Sequence, residues 1–243
     1  MRGVVLAAGP GRRLRPLTAT LPKTLLPLAD GRTILELALA NLRSVGLDEA
    51  VIVTGFAAER VAERIPDLER RYGLRLELVF NDRAEDWNNA YSLWLAREAF
   101  ADGALVVNGD TVHPVSVEED LFRARGPDVV LAVDGEKSLG EEEMKVIVSD
   151  DGAVERIGKD VDPTAAYGEY IGVSLLEPAA SAPLAEALEA AWRRDPSVYY
   201  EDGYQEFVDR GGEVRVAPIG HVEWVEVDDH GDLERAREIQ CRS

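Results

Sequence analysis

The first residues with a chemical signature lie directly after the first apolar segment of the chain. The stretch Leu6–Thr18 reads LAAGPGRRLRPLT, and Lys23 follows a few residues later. Glycines let backbone amides approach a ligand closely, and cations beside them neutralise negative charge. This combination indicates binding of a triphosphate, with charge stabilised on the transferring phosphorus. It is neither a dinucleotide fingerprint nor a P-loop, because Leu14 occupies the third glycine position and no Gly-Lys-Ser/Thr follows.

Carboxylates suited to a metal occur at two distant positions. Asp110 ends the segment Val106–Asp110 (VVNGD), so it is expected just beyond a buried strand. Mg²⁺ prefers hard oxygen ligands and usually takes one or two protein carboxylates plus substrate phosphates. Glu226 and Asp228 would share one face of a later strand, where two carboxylates need a cation or a proton to coexist cheaply. The ordinary alternatives are a turn aspartate and an acidic strand end.

The first segment resembles the signature of the nucleotidylyltransferases, which join a nucleoside triphosphate to a sugar phosphate or a phospho-alcohol. That signature is Ala-Ala-Gly-x-Gly-x-Arg-Leu-x-Pro-Leu-Thr followed by Pro-Lys, and this chain matches it from Ala7 to Lys23. The resemblance implies that Arg13 and Lys23 bind the triphosphate and stabilise charge at the α-phosphate and the leaving pyrophosphate. Arg12 stands at a variable position and receives no role.

The same resemblance implies a Mg²⁺ site built from two ends of the chain. Asp110 falls on the family's metal-binding aspartate, Asp228 is the closest match to the second metal carboxylate, and Glu226 is the next. The expected catalytic residues are then Arg13, Lys23 and Asp110, with Mg²⁺ as the cofactor. No Ser–His–Asp set is needed, because the acceptor phosphate or phosphonate is already an anionic nucleophile at neutral pH.

A second segment, Phe80–Leu93, closely resembles one branch of this family, the bacterial CTP:phosphocholine cytidylyltransferases and their relatives that act on phosphonates. Those proteins carry Asn-Asp and, a few residues later, Asn-Asn-x-Tyr-Ser-Leu, as here at Asn81 and at Asn88. The segment lies where sugar-nucleotide enzymes place the loop that reads the base, although its asparagines also suit a helix cap. The resemblance implies CTP as the nucleotide, with nucleotide-binding residues Leu6, Ala8, Gly9, Gly11, Asn88 and Ser92.

The second half of the chain is expected to bind the acceptor. Choline-specific relatives have several aromatic side chains there, which suit a quaternary ammonium through cation–π contact, whereas the corresponding stretch 138–146 has none. Lys159 follows a predicted hairpin, where relatives hold the acceptor phosphate, and Asp202 offers a carboxylate to a cationic head group. The predicted acceptor-binding residues are Lys145, Lys159, Glu169 and Asp202.

These features predict a cytidylyltransferase that transfers CMP from CTP to a small phosphonate or phospho-alcohol and releases pyrophosphate. Phosphocholine and inositol 1-phosphate are alternative acceptors, and a sugar-1-phosphate nucleotidylyltransferase using UTP or dTTP is the second class. A non-catalytic nucleotide sensor is the remote alternative, disfavoured because the cations and carboxylates of both motifs are present together. A choline cage stays open through three aromatic residues, Tyr199, Tyr200 and Trp224.

Composition limits the partners and the compartment. Of 243 residues, 46 are acidic and 27 basic, giving a formal net charge of −19, so nucleic acid is not expected as a partner. No apolar run approaches the roughly 18 residues that span a bilayer, and the N-terminal segment is too soon broken by glycine for a secretory signal. A single cysteine, Cys241, excludes an internal disulfide. A cytoplasmic protein without a membrane partner is expected, as a monomer or a homodimer.

Apolar segments in the first half alternate between strand and helix spacing. Val4–Ala8, Ala50–Thr54 and Gly103–Asn108 predict buried strands, and Thr33–Val45 has helical spacing. Such alternation predicts a parallel sheet with helices on both faces. We therefore expect an α/β fold, a Rossmann-like three-layer α/β/α nucleotidyltransferase domain with a mostly parallel central sheet, formed by residues 1–243 as a single domain.

The second half predicts a cover over the sheet. Lys145–Ser149 and Val154–Ile157 flank Asp-Asp-Gly, which is a hairpin signal, and Tyr204–Arg210 predicts a short helix. Hairpin insertions on a parallel sheet usually cover the carboxyl ends of the strands, where ligands bind. We expect residues 1 to about 135 to bind the nucleotide. Residues from about 136 to 243 are expected to form the acceptor-binding cover, a closing strand and a closing helix.

Overall fold

A mixed β-sheet runs through the centre of the protein. The structure is a computed structural model that describes residues 1–242, with side chains through Ile239, so the side chain of Cys241 lies outside the described part. In chain order the strands are β1 (Arg2–Ala7), β2 (Glu49–Thr54), β3 (Arg75–Phe80), β4 (Ala104–Asn108), β5 (Thr111–Val112), β6 (Val129–Asp134), β7 (Lys145–Val148), β8 (Val154–Gly158), β9 (Gly168–Leu176), β10 (Val214–Pro218) and β11 (Val225–Glu226).

Seven strands follow the order β10-β6-β9-β4-β1-β2-β3, and the predicted hairpin, β7 with β8, is attached to β9. The group β4-β1-β2-β3 is parallel throughout, and β10 is parallel to β6. Only β9 interrupts this pattern, because it is antiparallel to both β4 and β6. The prediction of a mostly parallel central sheet is confirmed.

Helices cover both faces of the sheet. Successive residues of a strand point to opposite faces, so Val4 of β1 packs in one buried cluster and Val5 in the other. The helices are α1 (Ile34–Ser44), α2 (Ala58–Ala62), α3 (Ile65–Tyr72), α4 (Asn89–Leu95), α5 (Ser116–Arg123), α6 (Ser181–Arg194), α7 (Tyr200–Asp209) and α8 (His230–Arg242). The first cluster includes residues of α4, α6 and α7, and the second includes residues of α1, α3 and α5, which confirms the three-layer fold.

Helix α7 begins four residues earlier than the sequence predicts. Gly203 lies inside this helix, although glycine destabilises a helix interior. The structure instead packs Gly203 against α6, where an added Cβ would lie 2.5 Å from Leu188 Cδ2. The glycine therefore permits close approach of two helices, and α7 includes an additional first turn that contains Glu201 and Asp202.

Two further differences concern short helices. The spacing of Ala57–Ile65 predicts one helix, but α2 ends at Ala62 and a second helix, α3, begins at Ile65, while Ala57 lies in the left-handed region at φ 49°. The sequence analysis does not predict α5. Its run of acidic residues leaves only a narrow apolar face, formed by Val117 and Leu121, so the helical hydrophobic pattern is weak. No helix within residues 1–242 is long and apolar enough to cross a membrane.

The small strands β5 and β11 join distant parts of the chain. They pair antiparallel, with Val225 opposite Val112 and Glu226 opposite Thr111. The amide of Val227 then donates to the carbonyl of Asp110 at 2.9 Å. This pairing carries the acidic segment at the end of β11 to the carboxyl end of β4.

Candidate active site

Gly109 brings the end of β4 against the first loop. Its amide donates to the carbonyl of Leu6 at 2.9 Å. A Cβ atom at position 109 would lie 2.5 Å from the same oxygen, so glycine is required for this approach. Asp110 is thereby held beside the end of β1, where the segment Gly9–Gly11 follows.

Three carboxylates meet at this point. Asp110, Glu226 and Asp228 each place an oxygen within 4.8 Å of the others. The β5–β11 pairing produces this arrangement, which brings together the three residues that the sequence suggested as metal ligands. Like charges at such distances repel one another, so the group requires a cation or a proton.

Lys23 lies between two of these carboxylates. Its Nζ is 2.7 Å from Asp110 Oδ2 and 3.0 Å from Asp228 Oδ1. Burial opposes the charged ammonium, but the two carboxylates outweigh it and raise the pKa of Lys23 above its ordinary value. Partial burial likewise opposes ionisation of Asp228, yet Lys23 holds the pKa of that carboxyl below its ordinary value.

The donor set fits a divalent cation. Asp110 Oδ1 is shielded from solvent and has no hydrogen-bond partner within the described side chains. Desolvation, together with repulsion from Asp110 and Asp228, raises the pKa of Glu226, and the nearby charge of Lys23 offsets this only in part. Clustered carboxylate oxygens with spare lone pairs are the ligands that Mg²⁺ prefers. Asp110, Asp228 and Glu226 are therefore the residues that would hold it.

The loop after β1 presents an accessible cation to the same group. Gly11 adopts φ 55° in the left-handed region, and the hydroxyl of Thr18 donates to its carbonyl at 2.7 Å. Arg13 projects from this loop with 74% of its side chain exposed and Nη1 3.4 Å from Asp228 Oδ2. An exposed guanidinium in this position is suited to bind phosphate oxygens.

A cavity of about 380 Å³ lies between the first loop and the segment 84–89. Two of the residues predicted to bind the nucleotide, Leu6 and Gly11, do not line this cavity. Their backbone carbonyls instead accept hydrogen bonds from the Gly109 amide and the Thr18 hydroxyl. Arg12, which the sequence left without a role, lines the cavity and donates to the carbonyl of Glu85 at 3.2 Å. The predicted residues that line the cavity are Ala8, Gly9, Asn88 and Ser92.

Asn88 and Asn89, which line this cavity, form hydrogen bonds to the segment that precedes α7 and to its first residue. Asn88 caps α4 through its Oδ1, and its Nδ2 donates to the carbonyl of Ser197 at 3.0 Å. Asn89 Oδ1 accepts the amide of Tyr200 at 2.8 Å. These bonds leave Asn88 one amide hydrogen and one lone pair for a ligand, so the cap and the predicted binding role are compatible.

A larger cavity of about 890 Å³ adjoins the carboxylate group. It is bordered by the β7–β8 hairpin region, β9, the start of α7 and α8. Lys159 and Glu169, both predicted to bind the acceptor, line it, whereas Lys145 and Asp202 do not. Among the described residues that line it, carboxylates outnumber cations by more than two to one. Such a cavity favours a ligand that carries some positive charge.

Lys145 has a different position from the one its sequence context suggests. It is completely buried, and its Nζ donates to the carbonyls of Gly140 at 3.2 Å, Glu141 at 2.9 Å and Glu143 at 3.0 Å. These bonds use all three hydrogens of the ammonium group. We therefore remove Lys145 from the acceptor site, because it holds the turn before β7 instead.

Replacing Lys145 by methionine is expected to lower the free energy of unfolding by about 2–4 kcal/mol, because three buried carbonyls lose a charged donor. Chemical denaturation measures this loss. The matched control is Arg156→Met on the neighbouring strand, which breaks an exposed ion pair with Asp160 and should cost less than about 1 kcal/mol. Unchanged stability of Lys145→Met with a raised acceptor KM would return Lys145 to the acceptor site.

Asp202 is an exposed helix cap, and its neighbour Glu201 takes the place beside the cavity. The amide of Tyr199 donates to Asp202 Oδ2 at 2.9 Å, so this carboxylate caps α7 and does not line the cavity. Glu201 is only 5% exposed and lines the cavity. Burial, with a contribution from Asp202, raises the pKa of Glu201 to about 8. The sequence offered two adjacent acids but no reason to prefer the first.

Of the three aromatic residues left open as a choline cage, Tyr199 and Trp224 line the larger cavity. The Nζ of Lys159 lies 4.9 Å from the ring centroid of Tyr199, and the Nζ of Lys137 lies 5.3 Å from that of Trp224. Tyr200 is completely buried. Each exposed ring thus already has a protein cation in a cation–π position.

The chain is similar in sequence to proteins of known activity. Choline-phosphate cytidylyltransferase of Streptococcus pneumoniae is 33% identical over 124 residues, 51% of this chain and 51% of that protein. CMP-5'-(3-aminopropyl)phosphonate synthase of Streptomyces rubellomurinus is 33% identical over 247 residues, 97% of this chain and 38% of that protein. The chain therefore spans about half of the first relative and less of the second.

Solved structures share the whole fold. The inositol-1-phosphate CTP transferase of T. maritima superposes with a TM-score of 0.82 at 23% identity, covering 98% of this chain and 96% of that one. CTP:phosphocholine cytidylyltransferase of Streptococcus pneumoniae superposes with a TM-score of 0.77 at 25% identity, covering 98% of each chain. The family model described as nucleotidyl transferase matches residues 2–158, which include the first loop, Lys23 and Asp110. The chain belongs to the nucleotidyl transferase family.

Proposed function

We propose that the protein transfers CMP from CTP to a small phosphonate or phospho-alcohol and releases pyrophosphate, with Mg²⁺ as its cofactor. The observation that carries the proposal is a charged group beside the larger cavity, which shares Asn89 with the smaller cavity. Asp228 and Glu226 of the carboxylate group line the larger cavity, Asn89 lines both cavities, and Lys23 with Arg13 faces the carboxylates. A nucleotide and an acceptor bound there would meet at the cations.

The reaction needs charge neutralisation and in-line alignment rather than a general base. An oxygen of the acceptor attacks the α-phosphorus and forms a new P–O bond. The bond from that phosphorus to the α–β bridging oxygen breaks, and its electron pair leaves with pyrophosphate. Arg13 and Lys23 would neutralise charge on the α-phosphate and the leaving group. Asp110, Asp228 and Glu226 would hold Mg²⁺, which supplies further positive charge to the triphosphate.

CTP is the proposed nucleotide because the base-reading segment and the named relatives both support it. The segment Asn88–Leu93 resembles the cytidylyl branch of the family, and its residues Asn88 and Ser92 line the smaller cavity. The relatives named above transfer CMP or use CTP according to their names.

We expect kcat/KM for CTP to exceed that for UTP, GTP and ATP by about tenfold or more, because cytosine and the other bases offer different hydrogen-bonding edges to the cavity. Pyrophosphate release measured across the four triphosphates with an array of acceptor phosphates and phosphonates tests this. Equal values for CTP and UTP would move the protein to the sugar-nucleotide class.

The acceptor is proposed to be a phosphonate or phospho-alcohol other than phosphocholine. The exposed rings that would surround a trimethylammonium already have Lys159 and Lys137 against them. Lys159 is the proposed partner of the phosphoryl end, because it lines the cavity and its charge acts on Asp228 of the carboxylate group. Glu169 lines the same cavity, and its Oε2 lies 2.7 Å from Lys137 Nζ. We keep Glu169 as a proposed contact of the acceptor.

A further inference from the structure

Three polar side chains meet in the interior of the protein, where the chain leaves β5. His113 follows β5 and is 1% exposed, Glu118 of α5 is completely buried, and Asn41 of α1 is 5% exposed. His113 Nε2 lies 2.9 Å from Glu118 Oε1, and Asn41 Nδ2 donates to the same oxygen at 3.2 Å. Asn41 Nδ2 also donates to the backbone carbonyl of His113 at 3.2 Å. These bonds join β5 to both α1 and α5.

The group contains a buried ion pair. Burial opposes the charged imidazolium of His113, but the charge and the hydrogen bond of Glu118 outweigh it and raise the pKa of His113 above its ordinary value. A buried ion pair adds little net stability compared with apolar residues of similar volume, because both charges must leave water. Its best-attested use is to fix the register of the elements that it joins.

The register in question is that of β5. The pairing of β5 with β11 has only two positions, and Glu226 lies opposite Thr111 in one of them. So short a pair of strands is marginal by itself and specifies its register weakly. A slip by one residue would turn Glu226 to the opposite face and move Asp228 relative to Asp110. The carboxylate group therefore depends on what holds β5 in place.

Backbone contacts hold β5 at both ends. Before the strand, the carbonyl of Asp110 accepts the amide of Val227 at 2.9 Å. After the strand, Asn41 holds the carbonyl of His113, and Glu118 holds its ring. The first contact ties β5 to the segment that carries Asp228, and the second ties it to two helices of the core. Hydrogen bonds of this kind are directional, so they select one position along the strand.

We propose that His113 and Glu118 are positioning residues which, together with Asn41, fix β5 so that the carboxylate group stays assembled as a site for a divalent cation. None of the three lines either cavity, so they act through the backbone of β5 and not by contact with a substrate. This inference rests on the metal site of the proposed function and adds residues that support it from the core.

Glu118→Gln and His113→Gln test the proposal in the full chain, with Mn²⁺ as the metal probe and no nucleotide present. We expect the affinity for Mn²⁺ to fall by about tenfold or more in each variant, at a temperature where thermal unfolding shows it to be folded. The two substitutions remove charges of opposite sign. A direct effect of charge on the metal would therefore lower the affinity in one variant and raise it in the other, whereas lost positioning lowers it in both.

Turnover supplies a second measurement. The Mg²⁺ concentration that gives half-maximal turnover should rise by a similar factor in both variants, while kcat at saturating Mg²⁺ stays within about threefold of wild type. The control is Glu177→Gln, which removes the same charge as Glu118→Gln. It breaks an ion pair with Arg125 at the end of β9 away from the cavity, and it should leave the affinity for Mn²⁺ unchanged.

Each result decides the inference. Unchanged Mn²⁺ affinity in the folded variants overturns it, even if both lose thermal stability, because the three residues would then be structural only. Opposite changes in the two variants, or an equal fall in Glu177→Gln, overturn it in favour of a charge effect. If only one variant folds, its affinity relative to Glu177→Gln decides.

The same titration keeps this inference separate from the proposed function. Undetectable Mn²⁺ binding to the wild-type protein overturns the inference, because no metal site would remain to be positioned. Absence of pyrophosphate release with every triphosphate and acceptor overturns the proposed function. The Mn²⁺ titration needs no substrate, so it still decides the positioning role in that case.

Discussion

Asp110→Asn is expected to lower turnover by about 10³-fold or more, because it removes a full negative charge from the group that would hold Mg²⁺ against the triphosphate. The fold should survive, since asparagine has the same shape and the substitution relieves repulsion from Glu226 and Asp228. Steady-state turnover, thermal unfolding and titration with Mn²⁺ as a metal probe measure the three effects.

Asp102→Asn is the control for that experiment. Asp102 is an exposed acid in the turn at the opposite end of β4, so it changes net charge equally without touching the site. Near wild-type turnover of Asp110→Asn at ordinary Mg²⁺ concentrations would remove Asp110 from the metal site. If Asp110→Asn loses turnover but keeps its affinity for Mn²⁺, Asp110 would likewise be removed from the metal site.

Lys23→Met is expected to separate catalysis from metal binding. Turnover should fall by about 10²–10³-fold, because a cation that stabilises the triphosphate is lost. Affinity for Mn²⁺ in the absence of nucleotide should instead rise, by about tenfold, because the Lys23 ammonium lies 2.7 Å from Asp110 and 3.0 Å from Asp228 and competes for the same oxygens.

Arg15→Met removes the same charge from an exposed residue of the same loop that does not line the cavity beside the carboxylates, so it should leave both quantities nearly unchanged. Metal affinity that falls in Lys23→Met would show that the lysine supports the metal site rather than competing with it. The pair of variants thus distinguishes competition for particular oxygens from a general effect of net charge.

The residues of the charged centre were predictable from sequence, but their pairing was not. The motifs around Arg13, Lys23 and Asp110 identify which side chains gather at the carboxyl ends of the strands. They do not state which cation contacts which carboxylate. Lys23 was expected at the triphosphate and lies between Asp110 and Asp228, because these opposite charges compensate one another in a partly buried place.

The acceptor residues were harder to predict because small errors of position change their direction. Successive helix residues differ by about 100° in direction, so placing the start of α7 at Tyr204 gave no basis for choosing between Glu201 and Asp202. Lys145 illustrates the same difficulty on a strand, where alternate residues face opposite sides. The carbonyl groups of the loop before β7 accept hydrogen bonds from Lys145, and no sequence pattern predicts these bonds.

The fold itself followed closely from hydrophobic patterning. Central strands buried on both faces read as continuous apolar runs, as in Val4 and Val5 of β1, and this feature is local to the sequence. The short strands β5 and β11 depend on a pairing between residues more than 100 positions apart, so local patterning predicts the closing strand β11 but neither β5 nor the pairing.

The hydrogen bonds of Asn88 and Asn89 constrain how acceptor preference can be redesigned. They fix the start of α7 to the start of α4 through Ser197 and Tyr200. An insertion or deletion in the connection 195–199 would shift this junction and disturb both cavities at once. Libraries aimed at new acceptors should therefore keep the length of that connection and vary the side chains at Tyr199 and Glu201, which border only the larger cavity.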